Sequence, residues 1–128
     1  MAIVALDTNI IIAGFAGDKN VLDGLDSVEG IYIPATVAGE LCFGAFKSRK
    51  LLDNLKRVTD FINQFEMIEI GLEVSVRYGI IKSDLQRVGT PVADNDLWIA
   101  ACAIHKEVPL VTRDSNFDRI EGLSKLKW

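Results

Sequence analysis

The chain has 128 residues, of which 49% are hydrophobic and 25% charged, with a formal net charge of −4. That length suits one domain around one core, and the composition excludes a disordered or fibrous chain. An acidic balance also argues against a protein that grips nucleic acid by charge alone, since such proteins are basic.

No run approaches the roughly 18 consecutive apolar residues of a membrane span, and neither a basic start nor a cleavage site marks a signal peptide. Cys42 and Cys102 stand at no metal-finger spacing. The expectation is a cytoplasmic protein with two reduced thiols in helices.

In chain order, Met1 to Leu6 is a short apolar run closed by polar residues, as a buried strand requires. Asp7 follows it directly, in Ala5-Leu6-Asp7-Thr8-Asn9. Gly14 and Gly17 read as a loop, without the GK[ST] ending of a phosphate-binding loop. Ile31 to Ile33 is a second strand, and Pro34 to Phe46 an apolar, small-residue helix that carries Glu40. A carboxylate there lies either on a solvated face or in a pocket, and composition does not choose between them. Leu51, Leu55, Val58, Ile62 and Phe65 then recur at spacings of three and four, the pattern of an amphipathic helix. Leu52 and Phe61 widen that stripe beyond what one buried face needs, so part of it is expected to remain exposed.

Met67 to Ile70 reads as a third strand, and Val74, Tyr78, Ile81 and Leu85 as the next helix. A further helix runs from Asp96 to Lys106, with Asp96 at the positive end of its dipole and Asp94 as the alternative acid, suited to the N-cap. Trp98 on that helix is either a packed aromatic or a stacking surface for bases. His105, near its end, is a surface cation favourable to the dipole. Leu110 to Thr112 is a fourth strand followed by Asp114, and Lys125 to Lys127 a weaker fifth.

Strands alternating with helices imply an α/β domain spanning residues 1–128, with a mostly parallel sheet covered on both faces. Ligands of such sheets bind beyond the carboxyl ends of the strands, where the strand order reverses. Asp7 and Asp114 both follow strands, although an acid in that place can also simply cap the next helix. Four carboxylates gathered in one pocket would raise one another's pKa unless a cation stood among them. Oxygen-only donors suit Mg²⁺ or Mn²⁺, ions that polarise phosphoryl oxygens and support phosphodiester hydrolysis.

Leu6-Asp7-Thr8-Asn9, Val37-Ala38-Gly39-Glu40-Leu41, Asp96-Leu97-Trp98-Ile99-Ala100-Ala101 and Leu110-Val111-Thr112-Arg113-Asp114 resemble, in order and spacing, the four acidic motifs of PIN domains. The length, the run from Asp96 to Ala101 and the stretch Phe117 to Leu123 are most similar to the toxins called VapC. The resemblance implies a three-layer α/β/α fold with a five-stranded sheet in the order 3-2-1-4-5. It also implies Mg²⁺- or Mn²⁺-dependent cleavage of structured RNA such as transfer or ribosomal RNA, homodimerisation, and inhibition by a cognate antitoxin. Asp7 and Asp96 would be the principal metal ligands, with Glu40 and Asp114 completing the pocket directly or through water, and Asn9 and Thr112 orienting it. Many relatives carry Asn at the position of Asp114 and an Asp a few residues on, where this chain has Ser115 and Asn116; how Asp114 and Asn116 share the fourth role stays open. Lys47, Arg49, Lys50, Lys56 and Arg57 form a candidate RNA or antitoxin rim, or a solvated helix face.

Two rivals stand beside this reading. A haloacid-dehalogenase-like phosphatase also begins with a strand ending in Asp, but needs a second Asp two residues later, where this chain has Asn9. A non-catalytic PIN-like binding module would have lost acids, and all four are present.

Overall fold

Val4, Ala5 and Leu6 are fully buried, as expected of a strand covered on both faces. In the computed structural model, which describes residues 2–128, they belong to β1 (Ile3–Leu6); Met1 of the expected strand lies outside the described residues. β1 is the middle strand of a five-stranded sheet of order 3-2-1-4-5, with helices on both sides.

After β1 come α1 (Thr8–Phe15) and α2 (Lys19–Ser27), then β2 (Gly30–Pro34), α3 (Ala35–Phe46) and α4 (Leu51–Ile62). β3 (Glu66–Ile68), α5 (Leu72–Arg87), α6 (Asp94–Lys106) and β4 (Leu110–Val111) follow, and a short 3-10 helix (Ser115–Arg119) leads to β5 (Lys125–Leu126). Every strand pairing is parallel: β1 lies between β2 (Val4 opposite Ile31) and β4 (Leu6 opposite Val111), while β3 and β5 form the edges. The strand order therefore reverses on either side of β1, whose carboxyl end carries Asp7.

Three expectations need correction. The segment read as a loop around Gly14 is helical: Gly14 lies in α1, where a Cβ would stand 3.3 Å from Val21 Cγ1, and the close passage of α2 favours the missing side chain. Only Gly17 serves a turn, with φ +84°. Pro34 ends β2 and takes the N-cap position of α3, so that helix begins at Ala35. Finally α6 starts at Asp94 after an N-cap at Ala93, so neither Asp96 opens the helix nor Asp94 caps it.

The centre of the core is α6, in which Ile99, Ala100, Ala101, Cys102 and Ala103 are fully buried. Its small side chains let α3 and α5 approach closely. Phe117, also fully buried, anchors the 3-10 helix and contributes on the order of 2–3 kcal/mol by burial. On α4 the wide apolar stripe divides: Val58 and Ile62 enter the core, Phe61 packs edge-on against Phe15 at 5.4 Å, and Leu52 remains 80% exposed.

Trp128 packs over α2, where a Cβ on Gly24 would overlap its indole. Gly24→Ala should lower stability by about 1 kcal/mol, because displacing the ring outweighs the better helix propensity of alanine. In a Trp128→Ala background the same change should stabilise instead. Urea unfolding of the four proteins in this cycle checks it, and a loss of equal size in both backgrounds would count against the contact.

Candidate active site

Asp7 leaves β1 only 5% exposed, with both carboxylate oxygens engaged. Oδ1 accepts from the backbone N–H of Thr8 at 2.8 Å, capping α1, and Oδ2 accepts from Thr112 Oγ1 at 2.7 Å. The capping role and the site role coexist in one residue. Its backbone N–H donates to Val111 O at 3.0 Å, continuing the β1–β4 ladder to the residue that carries the carboxylate. Burial pushes the Asp7 carboxyl above its usual range; the hydrogen bonds from Thr112 and Thr8 act the other way, and the charges of Glu40 and Asp114 add to the rise.

Thr112, just past β4, has only its hydroxyl to link two acids. The oxygen that donates to Asp7 also accepts from the backbone N–H of Asp114 at 3.1 Å. Asp114 Oδ1 in turn accepts from the backbone N–H of Asn116 at 2.9 Å and caps the 3-10 helix. At the fourth motif Asp114 engages through its carboxylate and Asn116 through its backbone N–H, with an exposed Asn116 side chain. Across the site, Glu40 is half-buried on α3 and accepts from Thr8 Oγ1 at 2.7 Å through Oε1.

Asp96 sits half-buried in the first turn of α6 and makes no hydrogen bond among the described residues. Burial, followed by the charges of Asp114, Asp7 and Glu40, pushes its carboxyl up to about 6. Asp94, two residues earlier, turns outward to Tyr78 Oη at 2.9 Å and Lys82 Nζ at 3.0 Å, and this pairing holds its carboxyl below the usual range. Asp94 thus belongs to a surface ion pair, whereas the charges of Asp114, Asp7 and Glu40 bear on Asp96.

The remaining candidates make no side-chain hydrogen bond to these four acids among the described residues. Asn9 is exposed, with no side-chain hydrogen bond among the described residues. Trp98 stacks on Tyr78 with ring centroids 3.8 Å apart and planes at 9°, so one face of its ring is covered. His105 pairs with Glu73 at 3.4 Å, and nine residues along α6 from Asp96 is about 14 Å of helix. Both cysteines are free and helical; burial pushes the Cys102 thiol up to about 11.

Sequence reasoning gave no role to Thr8 or Arg113. A hydroxyl directly after a strand-ending Asp was the available signal for Thr8. Arg113 bridges Asp18 Oδ2 and Trp128 O, both at 2.9 Å, and so ties the Asp114 segment to the start of α2 and to Trp128.

Oxygen donors with unrelieved mutual repulsion are the chemistry a hard divalent cation seeks. Among the described residues no three His, Cys, Asp or Glu side chains crowd closely enough to enclose an ion by themselves. Mg²⁺ keeps several waters and needs one or two direct carboxylates, so an open set of acids fits it.

The sequence pattern of the PIN domain matches residues 4–123. The chain belongs to the PIN domain family. Among curated relatives it is 32% identical to ribonuclease VapC2 of Rickettsia felis over 133 residues, covering 98% of each chain. It is 34% identical to the tRNA(fMet)-specific endonuclease VapC of Salmonella typhimurium over 90 residues, 70% of this chain and 68% of that one. Among solved structures, VapBC2 from Rickettsia felis bound to a promoter DNA fragment matches with a TM-score of 0.90 at 29% identity, covering 98% of each chain. DNA-bound VapBC from Salmonella typhimurium also reaches 0.90 at 29% identity, covering 100% of this chain and 99% of that one. The expected PIN fold and strand order are those observed.

A carboxyl raised in the fold binds its proton more tightly folded than unfolded, so its contribution to stability falls as pH rises from about 4 to about 6 and stays lost above. Asp96→Asn should therefore raise the stability of the metal-free PIN domain at pH 7 by roughly 1 kcal/mol, discounted for the solvent that reaches this side chain. At pH 4 the difference should vanish. Thermal melts of both proteins at the two pH values check it; equal melting temperatures at pH 7 would contradict the strained carboxylate.

Proposed function

We propose that this chain is a divalent-metal-dependent endoribonuclease, the toxin half of a toxin–antitoxin pair, that cuts structured RNA such as transfer or ribosomal RNA. The observation that carries the reading is the half-buried, unpartnered Asp96, on which the charges of Asp7, Glu40 and Asp114 all bear at the carboxyl edge of the sheet. The names of the relatives, ribonuclease and tRNA(fMet)-specific endonuclease, support the same chemistry.

In this reading Asp7 and Asp96 would hold Mg²⁺ or Mn²⁺, and Glu40 and Asp114 would complete the site directly or through water. A bound ion would supply charge to polarise the scissile phosphoryl group and to ease departure of the leaving oxygen. The chain does the positioning. Thr112 Oγ1 donates to Asp7 Oδ2 and fixes the carboxylate plane, and Thr8 Oγ1 holds Glu40 Oε1 so that Oε2 stays open to accept a proton from attacking water. Lys82 and Tyr78, by holding Asp94, brace the start of α6 that presents Asp96.

An antitoxin fits beside these acids. A cavity of ≈ 270 Å³ between α1, α3 and α4 is lined by Ile12, Phe15, Leu41 and Val58 and reaches Glu40. Phe43, Phe46 and Leu52 are exposed on the same two helices, α3 and α4. A peptide with apolar anchors and one Arg directed at the carboxylates would occupy it. The protein acts as a homodimer.

RNA cleavage should require Mg²⁺ or Mn²⁺ and stop in EDTA. Asp7→Asn or Asp96→Asn should reduce kcat at least about 100-fold, while Asp94→Asn, whose amide oxygen can still accept from Tyr78 and Lys82 and so keep the brace on α6, should stay within a few fold. Gel-based RNA cleavage assays measure this, and full activity in chelator would overturn the reading. Leu52→Glu or Phe46→Glu should weaken inhibition by the co-expressed antitoxin while leaving cleavage by the free toxin in place. Unchanged inhibition would remove the exposed apolar face of α3 and α4 as the antitoxin site.

A further inference from the structure

β5 is paired to β4 with Leu110 opposite Lys125 and Val111 opposite Leu126, and the backbone N–H of Thr112 donates to Leu126 O at 3.0 Å. Paired residues of a parallel sheet face the same side, and adjacent strands lie about 4.8 Å apart. Lys125 and Lys127 therefore share the face of Leu110 and Thr112, and Lys127 stands at the level of the threonine that holds Asp7. A cavity of ≈ 200 Å³ opens between them, lined by Thr112, Asp114 and Ser115 on one side and by Lys125 and Lys127 on the other.

The three cations at this cleft differ in their engagements. Arg113 is committed to Asp18 and Trp128. Lys125 is in a loose pair with Asp118 at 3.4 Å. Lys127 is exposed and has no ion pair or hydrogen bond among the described residues. A free ammonium thus lies one strand from the acid cluster, in a chain whose net charge of −4 repels a polyanion.

We propose that Lys127, assisted by Lys125 exchanging away from Asp118, forms a phosphate-binding subsite for the RNA strand on the β5 side of the acid cluster. The inference rests on the ribonuclease reading, and it names how an acidic protein retains a polyanion: the acids take the scissile phosphate with a cation, and Lys125 and Lys127, in and just past β5, take a neighbouring one. Ser115 lines the same cleft, and its hydroxyl is a neutral donor.

The test is equilibrium binding of labelled transfer RNA in Mg²⁺ over a series of NaCl concentrations, on a Glu40→Gln background that blocks turnover. Lys125→Gln/Lys127→Gln should weaken binding about 10-fold and reduce the slope of log K against log salt by about 1 to 2, the signature of one or two lost phosphate contacts. On the otherwise native chain the pair should raise KM about 10-fold with kcat within about 2-fold, and Lys127→Arg should restore most of it. Lys106→Gln, at the far end of α6, serves as the control for net charge alone. An unchanged slope in the double variant, or an equal loss in the control, overturns the subsite while metal-dependent cleavage keeps the nuclease reading. A changed slope in a protein that cleaves no RNA supports the subsite and removes the nuclease reading. Loss of antitoxin capture with unaltered RNA binding would assign the cleft to a protein and overturn the proposal.

Discussion

A single hydroxyl organises the carboxyl edge of this sheet. Thr112 Oγ1 donates to Asp7 Oδ2 and accepts from the backbone of Asp114, so one side chain sets the spacing of two acids carried by adjacent strands. The bond is possible only because β1 and β4 are neighbours in parallel register, with Leu6 opposite Val111. Around it the hydrogen bonds are reciprocal: Asp7 also caps α1, Thr8 in the first turn of that helix reaches Glu40, and Asp114 caps the 3-10 helix that Phe117 anchors in the core. None of these links is a salt bridge, and no described basic side chain neutralises the acids.

That choice has an energetic logic. A cation from Lys or Arg inside the cluster would relieve the repulsion and occupy the ligand positions permanently. Left without one, the fold carries two raised carboxyls, and the buried apolar core of β1, β4 and α6 offsets the strain. The basic side chains are instead placed at one remove: Lys82 braces Asp94, Arg113 braces Asp18, and Lys125 and Lys127 line the far side of a cleft that Thr112 and Asp114 border. The same helix turn illustrates the division, since Asp94 is paired at the surface while Asp96, two residues on, is left without a partner.

Much of this was legible in the sequence because burial leaves a periodic trace. Four apolar strands, the helices containing Glu40 and Asp96, and the position of each acid after its strand or on its helix follow from the spacing of large apolar residues, while the fifth strand at Lys125–Leu126 left only a weak trace. The helix Lys19–Ser27 was not legible, being short, with Gly24 and Asp23 interrupting a stripe of Val21, Leu22 and Leu25. Gly14 misled for a related reason: it reads as a loop residue, yet it is small because α2 passes close by. The hydrogen bonds of Thr8 and Thr112 join residues 32 and 105 positions apart. No local pattern encodes them, and the decision between Asp94 and Asp96 depended on where Tyr78 and Lys82 of another helix happen to lie.

The separation of 105 residues between Asp7 and Thr112 also orders events in time. β1 can pair with β2 as soon as residue 34 is available, but its other edge stays open until β4 is made. Contacts of such long range close late, after the loop entropy of nearly the whole chain has been overcome. A nascent or truncated chain ending before Leu110 therefore holds Asp7, Glu40 and Asp96 without the strand that fixes Asp7 or the loop that brings Asp114. Assembly of the acid cluster is tied to synthesis of β4 and the loop after it, so a molecule cut short before Leu110 has no assembled cluster.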